Sequence, residues 1–125
     1  MEKYKKSFGN FGEDAAVKYL KKNRYIILER NFNIRGGEID IIAKKGDYVI
    51  FVEVKTRSTE DFGGGAEAVN YAKQQRMIKA AQTYLMRLGD VSARFDVVVV
   101  NGGMDGKKFV IEEIEHIENA FWVVW

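Results

Sequence analysis

Four charged residues lie inside two apolar stretches of the chain, in the segment GGEIDIIAKKGDYVIFVEVKTR that spans residues 36–57. They are Glu38, Asp40, Glu53 and Lys55. The residues around them are largely β-branched or aromatic, which is typical of strands, and the Gly-Asp pair between the two stretches favours a hairpin turn. Burying a charge without a partner costs free energy. Four charged residues in such strands therefore indicate either ion-pair partners or a functional site.

The register of this hairpin decides which charges face each other. A two- or four-residue loop centred on the Gly-Asp pair places Asp40 opposite Glu53, with their β-carbons about 4.5–5.5 Å apart. The same register places Glu38 opposite Lys55, whereas a three-residue loop would shift Asp40 away from its partner. Strand alternation predicts that all four charged side chains share one face. The other face would then carry Ile39, Ile41, Val52 and Val54.

Two opposed carboxylates repel each other unless a proton or a cation lies between them. Mg²⁺ and Mn²⁺ bind carboxylate oxygens and complete their coordination with water and phosphate oxygens. A neighbouring lysine can stabilise charge that develops on phosphorus, or orient and deprotonate the attacking water. Asp40, Glu53 and Lys55 together therefore predict a site that hydrolyses phosphodiesters.

A solvent-exposed, salt-bridged sheet surface is the alternative interpretation of the same residues, with Glu38 and Lys55 as an ordinary cross-strand pair. Three features favour the metal site, one of which is a further carboxylate, Glu13, on a helix face that should pack on the sheet. Asp40 and Glu53 are like charges in opposed positions, which a structural pair would avoid. The residues that flank them are almost all apolar, so the surface around them is not generally solvated.

The segment GNFGEDAAVKYLKKNRY, residues 9–25, has the periodicity of a helix. Asn10 is a candidate N-cap, and Glu13 three residues later completes the pattern of a capping box. Glu13 also shares one helical face with Ala16, Val17 and Leu20, at the spacing that directs side chains toward a core. Two roles therefore stay open for Glu13, a helix cap and a third carboxylate directed at the sheet.

The remaining elements follow from hydrophobic periodicity. We predict a strand in YIILERNF (25–32), the hairpin, a helix over about 66–88, and a buried strand in ARFDVVVV (93–100). The long helix carries an apolar stripe followed by a glycine C-cap; these residues are Ile78, Ala81, Leu85, Leu88 and Gly89. NGGMDGKK (101–108) predicts a turn, and a final strand begins at Phe109, with an end that fits neither period. This order predicts an α/β fold, one mixed sheet flanked by helices.

Length and composition limit the class of protein. The chain has 125 residues, 46% hydrophobic and 30% charged, which predicts one globular domain over residues 1–125, with a flexible basic tail at residues 1–8. It has no cysteine, so disulfides, thiolate zinc sites and cysteine nucleophiles are excluded. No secretory signal and no apolar run near ~18 residues is present, so we expect a cytoplasmic protein without a membrane partner. The net charge of +2 is only a weak indication of a polyanionic partner.

Asp40, twelve intervening residues and then EVK resemble the PD-(D/E)XK motif of the restriction-endonuclease-like nuclease superfamily. Asp40 matches the motif aspartate, Glu53 its acidic residue and Lys55 its lysine. Ile39 occupies the place of the motif proline, and the chain has no proline at all.

A wider set of motifs resembles the YraN-like family of bacterial proteins, over about residues 9–121. These motifs are GGEIDIIA, VIFVEVKTR, the KQ of the long helix, RFDVVVV and IENAF. The family is similar to archaeal Holliday-junction resolvases. The resemblance implies a single-domain restriction-endonuclease-like fold and a divalent metal held mainly by Asp40 and Glu53, with Glu13 as the acid of the first helix.

Several further residues are candidates for substrate contacts. Lys73 and Gln74 precede the apolar stripe of the long helix by one turn, so they could point toward the charged face; residues here in similar nucleases assist the catalytic water or touch phosphate. A solvated helix surface is the alternative. In the loop RSTEDFGGGAEA, Phe62 could stack on unpaired DNA bases, or the loop could simply be flexible. Arg35, Arg57 and the N-terminal lysines could contact phosphates.

Two other charged features are interpreted as structural. Arg94 and Asp96 begin a buried strand and share a face, so we expect an ion pair between them. His116 is the single histidine of the chain, which gives little support to a histidine metal site or a Ser-His dyad.

The leading hypothesis is a Mg²⁺- or Mn²⁺-dependent endonuclease that hydrolyses DNA. Asp40, Glu53 and the backbone carbonyl of Val54 would hold the metal, and Lys55 would activate water or stabilise charge. Glu13 and Gln74 would complete the site, while Glu38 would restrain the lysine or bind a second metal. Branched or flapped DNA is the expected substrate by analogy with the resolvases, and a symmetric junction would require a homodimer.

Two hypotheses of other classes remain. One is a nucleic-acid-binding module whose metal site is vestigial or depends on a partner. The other is a structural interaction domain, which would leave the opposed carboxylates unexplained.

Overall fold

The computed structural model describes residues 6–58 and 69–123. Within these ranges the chain forms, in order, α1 (Phe8–Lys22), β1 (Ile26–Ile34), β2 (Gly37–Lys45), β3 (Tyr48–Ser58), α2 (Tyr71–Leu85), β4 (Ser92–Asp105) and β5 (Lys108–Phe121). The strands form one sheet in the order β1-β2-β3-β4-β5. Neighbours are antiparallel except for the parallel pair of β3 and β4. The predicted α/β fold, with a mixed sheet flanked by helices, is confirmed.

The two helices cover opposite faces of this sheet. Parallel strands need a crossover connection, and α2 lies between β3 and β4 in the chain. The apolar layer under α2 includes Phe51, Met77 and Phe95, and the layer under α1 includes Leu20 and Val52. Residues 49–52 of β3 and 97–100 of β4 lie between both layers, and these segments are continuously apolar. No helix in the described part of the chain is long and apolar enough to span a membrane.

The first helix begins three residues earlier than predicted. Its N-cap is Ser7, whose side chain accepts a hydrogen bond of 3.1 Å from the backbone nitrogen of Asn10. The predicted Asn10 cap and its capping box with Glu13 are therefore wrong. Serine caps a helix as well as asparagine does, and the earlier start leaves Glu13 within the buried face of α1, as its spacing indicated.

The second helix differs from the prediction in its end and in its buried face. It ends at Leu85 with Met86 as C-cap, so Gly89 is not the predicted cap. Its buried residues are Met77, Ala80, Ala81 and Tyr84. Of the predicted stripe, Ala81 is buried, and Ile78 and Leu85 are partly buried against the same core. The Tyr84 ring packs edge-on against Phe32 and Phe51, with centroid distances of 5.4 and 6.2 Å. The predicted Leu88 lies beyond the end of α2 and is 43% exposed.

The last hairpin is longer than predicted. β4 continues to Asp105 and β5 begins at Lys108, so only two residues remain for the turn that was predicted over residues 101–108. The extended pairing of β4 with β5 accommodates the glycines through an irregularity between Asn101 and Gly102. The ambiguous C-terminal segment is strand as far as Phe121.

Gly12→Ala is expected to destabilise the protein by about 1–3 kcal/mol, as overpacking of a tight contact does. A β-carbon at position 12 would lie 1.8 Å from Oγ1 of Thr56 and 2.7 Å from its Cβ, which no rotamer change can move. Gly9→Ala in the same helix is the matched control, since its nearest neighbour would be the Ser7 hydroxyl at 3.9 Å. Urea unfolding of both variants measures the difference. Equal stabilities would contradict this close approach of α1 to β3.

Candidate active site

The hairpin of β2 and β3 has the predicted register. Its paired residues run from Lys45 with Tyr48 to Ile41 with Val52. One step beyond the last pair, Oδ2 of Asp40 accepts a hydrogen bond of 2.8 Å from the backbone nitrogen of Val54. The N–H and C=O groups of one strand residue point to the same side, so the Val54 carbonyl also faces the side on which Asp40 lies.

The predicted separation of a charged face from an apolar face breaks down at Asp40. Ile41 packs in the layer under α1, as alternation requires, but Ile39 packs in the layer under α2. Asp40 itself lines a cleft with the first residues of α1, together with Glu13, Asn31, Val54 and Thr56. Asn31, which lies beside it on β1, has a left-handed φ of 53°. The local twist lets both isoleucines be fully buried, and it turns Asp40 toward α1.

Glu53 projects toward α2, because its partner in the register is Val97 of the layer under that helix. Burial, and next the charge of Asp40, raise the pKa of Glu53 to about 7. Its Oε1 atom is buried and has no hydrogen-bond partner. Lys73 Nζ lies 3.4 Å from this oxygen, close enough for Coulombic attraction but not placed to form a hydrogen bond. Buried polar atoms are rarely left unsatisfied, and a carboxyl with a raised pKa in a cleft is a candidate functional group.

Lys73 points from α2 toward these carboxylates, as one of its two interpretations predicted. Its Nζ donates a hydrogen bond of 2.8 Å to Glu38 Oε2, in addition to its contact with Glu53. Burial alone would lower the pKa of Lys73, but the three surrounding carboxylates raise it above its ordinary value. The ammonium group therefore stays charged and compensates part of their negative charge.

Glu38 is held by α2 and not by the opposite strand. Its carboxylate accepts hydrogen bonds from Arg76 and Lys73, and these lower the pKa of Glu38 to about 2, Arg76 having the larger effect. The ordinary Glu38–Lys55 pair of the alternative interpretation therefore does not form.

Lys55 lies on the same face of β3 as Glu53. Its register partner is Val99, which belongs to the layer under α2. Among residues 6–58 and 69–123 it makes no ion pair. The side chain is half-buried, so an amine lies on the face that carries Glu53 and, among the described residues, is in no ion pair.

Glu13 is buried and anchored by β1. Its Oε1 accepts hydrogen bonds from Arg30 Nη2 at 2.9 Å and from Asn31 Nδ2 at 3.2 Å. The side chain lines the same cleft as Asp40. Within the described ranges, however, no three acidic or histidine side chains converge closely enough to hold one metal ion together.

The remaining predicted site residues are Gln74, Arg35, Arg57 and Phe62. The Gln74 amide donates a hydrogen bond of 2.8 Å to the carbonyl of Val69, which fixes the chain before α2. Arg35 is exposed after β1, and Arg57 is half-buried near the end of β3. Phe62 and its glycine-rich loop lie outside the described residues.

Comparison with known proteins supports the family resemblance that the sequence motifs indicate. The model of the uncharacterised protein family UPF0102 matches residues 12–100. The chain belongs to the UPF0102 family. This confirms the resemblance to the YraN-like family. The matched UPF0102 region contains Glu13, Asp40, Glu53 and Lys55, and so covers the whole candidate site.

Relatives in the UPF0102 family align over nearly their full lengths. A UPF0102 protein of Clostridium perfringens is 46% identical over 125 residues, which cover 98% of this chain and 100% of the relative. A UPF0102 protein of Geobacter metallireducens is 48% identical, with 97% of each chain covered. A third, from Acetivibrio thermocellus, is 48% identical over 94% of this chain and 92% of its own.

This UPF0102 protein also has a buried polar network that the sequence only partly indicated. The predicted ion pair of Arg94 with Asp96 is confirmed, with Nε 3.0 Å from Oδ1. His116 Nε2 lies 2.7 Å from Oδ2 of Asp96, and Tyr19 hydroxyl lies 3.0 Å from His116 Nδ1. Burial alone would raise the pKa of Asp96, but the hydrogen bonds from His116 and Arg94 lower it below its ordinary value. The network joins α1, β4 and β5, and the predicted structural role of His116 fits these contacts.

Proposed function

We propose that this UPF0102 protein is a divalent-metal-dependent endonuclease that hydrolyses DNA phosphodiesters. The observation that carries the proposal is the pair of Asp40 and Glu53. The two acids lie close enough for Asp40 to raise the pKa of Glu53, and Glu53 keeps a buried oxygen without a hydrogen bond. Such an arrangement costs stability, and a cation beside it would remove the cost.

The donor groups fit Mg²⁺ or Mn²⁺. Asp40 and Glu53 offer carboxylate oxygens, and the Val54 carbonyl faces the same side as Asp40; hard divalent cations prefer such oxygen ligands. Glu13 lines the same cleft and would complete the site. When bound, the ion would supply positive charge to a phosphate oxygen and lower the pKa of a water molecule.

The cations of the site have separate roles in this proposal. Lys55 has no ion-pair partner among the described residues, so its ammonium can stabilise negative charge on the scissile phosphate or orient the attacking water. Lys73 is held between Glu38 and Glu53, so it sets the charge around the acids. Arg30 and Asn31 keep the Glu13 carboxylate aimed along the cleft.

Branched or flapped DNA is the substrate class that we propose, by analogy with the resolvases that the motifs resemble. Cleavage of a symmetric four-way junction would require two active sites, so the same proposal includes a homodimer on that substrate. Gln74, Arg35, Arg57 and Phe62 remain predicted substrate or water contacts.

A nucleic-acid-binding module with a partner-dependent metal site is the second candidate function. One observation favours it: within residues 6–58 and 69–123, no three acidic or histidine side chains gather around one point. Lys73 also already compensates part of the charge on Glu53. In this case the protein would bind DNA but would not cleave it alone.

Cleavage assays separate the two functions. The purified protein is incubated with linear, flapped and four-way DNA, in Mn²⁺, Mg²⁺ or EDTA, beside the variants Asp40→Ala and Lys55→Ala. We expect metal-dependent cleavage by the parent and loss of cleavage in both variants. Cleavage that survives both substitutions would mean a contaminant or a different site, and binding without cleavage in every metal would support the module.

A further inference from the structure

Two hairpin turns of this chain have the same four residue types in reversed order. KKGD, residues 44–47, joins β2 to β3, and DGKK, residues 105–108, joins β4 to β5. β3 and β4 are parallel, with Tyr48 paired to Ser92 and Ser58 paired to Gly102. The DGKK turn therefore lies at the end of the sheet where Lys55 lies, and the KKGD turn lies at the opposite end.

One lysine of α1, Lys18, lies beside the DGKK turn and is exposed. Lys21 and Lys22 follow at the C-terminal end of α1, toward the opposite end of the sheet, where Tyr25 lies under Lys45. A cleft between α1 and the turn is lined by Lys6 and Lys18 from one side and by Lys107 and Lys108 from the other. We call the four residues Lys6, Lys18, Lys107 and Lys108 the lysine surface.

Aromatic packing fixes the two halves of the lysine surface to each other. The Phe109 ring stacks on Phe11 of α1, with centroids 5.6 Å apart and an interplanar angle of 13°. It also meets Phe8 edge-on at 5.5 Å. Such aromatic pairs add about 0.5–1.5 kcal/mol each beyond burial, so the turn and its lysines are held against α1 before any ligand binds.

The charge of the lysine surface is largely uncompensated. Lys6 pairs with Asp14 at 2.6 Å, but in the part of the chain that the structure describes the other three lysines take part in no ion pair. Glu115 of β5 pairs with Val99 of the layer under α2, so it projects from the opposite face of the sheet. Glu118 of β5 lies near Arg94, at the other end of the strand.

Helix α1 separates this surface from the candidate active site by its own width, about 10 Å. Phe8, Gly9, Asn10 and Glu13 line the cleft that contains Asp40, while Phe11, Asp14 and Lys18 of the same helix line the lysine cleft. A polyanion that lies on the lysines would therefore pass close to the cleft of Asp40. A nucleic acid carries closely spaced phosphates along its backbone, and these match a cluster of lysines of which three make no ion pair among the described residues.

We propose that the lysine surface binds the phosphate backbone of a duplex arm of the DNA substrate, whose continuation enters the cleft of Asp40. This rests on the proposed nuclease function and adds where the substrate is held. The contacts are to phosphates, so they position the substrate without selecting its sequence.

The two turns provide the test. Lys107→Ala/Lys108→Ala removes two charges from the lysine surface, and Lys44→Ala/Lys45→Ala removes two charges from the opposite end of the sheet. Affinity for duplex and flapped DNA is measured in EDTA at several salt concentrations. We expect the slope of log K against log salt to fall by about 1.8 in the first variant, because each phosphate that a lysine neutralises adds about 0.9 to the slope. The slope of the second variant should stay at the parent value. Equal melting temperatures check that both variants fold.

The outcomes distinguish this proposal from the nuclease function. If the parent binds and cleaves DNA but both double variants weaken binding equally, the lysine surface is overturned while the function stands. If the parent neither binds nor cleaves any DNA, the function fails and this proposal fails with it. Binding to phosphatidylserine vesicles that is lost only in the Lys107/Lys108 variant, with DNA affinity unchanged, would assign the surface to a membrane and overturn the proposal.

Discussion

Lys55→Ala is expected to lose at least about 100-fold in DNA cleavage while it keeps the thermal stabilisation that Mn²⁺ gives the parent. A positioned proton-transfer group contributes about 10²–10⁴-fold to a rate, and an electrostatic donor a similar factor. Lys55 makes no ion pair within the described residues, so its removal breaks no contact that holds the metal acids. Single-turnover cleavage and melting curves against Mn²⁺ concentration measure the two effects.

Asp40→Asn is the variant with which Lys55→Ala is compared. The asparagine side-chain oxygen can still accept the hydrogen bond from the Val54 nitrogen, so the fold is retained while one negative ligand is lost. We expect this variant to lose both cleavage and the stabilisation by Mn²⁺, which at 100 times the Kd amounts to about 2.7 kcal/mol in the parent. Equal stabilisation of Asp40→Asn and the parent by Mn²⁺ would place the metal elsewhere. Loss of this stabilisation in Lys55→Ala would show that the lysine supports the fold of the site.

Glu53→Gln is expected to stabilise the metal-free protein at pH 8 by about 2–3 kcal/mol and to have little effect near pH 4.5. The pKa of Glu53 is raised from 4.5 to about 7 in the folded protein, and a pKa difference of one between the folded and unfolded states corresponds to about 1.36 kcal/mol. Between these two values the folded state holds the proton and the unfolded state does not. Stability therefore falls as the pH rises through this window. Glutamine cannot ionise, so the stability of the Glu53→Gln variant does not fall in this pH window.

Urea unfolding in EDTA at pH 5, 6, 7 and 8 measures the effect of Glu53→Gln. Glu38→Gln is the control of opposite sign: the pKa of Glu38 is lowered from 4.5 to about 2, so its stabilisation is present above pH 4.5 and is lost as the pH falls toward 2. The Glu38 variant should therefore be less stable than the parent at pH 7. A Glu53→Gln variant that is less stable than the parent at pH 8 would contradict the buried, unsatisfied state of this acid.

The sequence alone predicted the order of the elements and the chemistry of the central hairpin. Turn residues and alternation are local features, and the Gly-Asp turn favoured the register that the structure shows, although the sequence left a three-residue loop open. The types and spacing of Asp40, Glu53 and Lys55 then indicated the proposed reaction class. Helix ends were predicted less well, because Ser7 and Asn10 are equally good caps in isolation and only packing selects between them.

The tertiary structure decided which groups surround these residues. Glu38 was expected to face Lys55 but binds Lys73 and Arg76, the first of them 35 residues away. The raised pKa of Glu53 results from burial under α2, which no local pattern reports. Tyr19 meets His116 across 97 residues, and no pattern in the sequence indicated that contact. Periodicity shows which side of its own helix or strand a residue occupies, whereas the contact partners of that residue depend on how two elements pack. The sequence therefore indicated which acids form the site, and the tertiary structure determined their charge state.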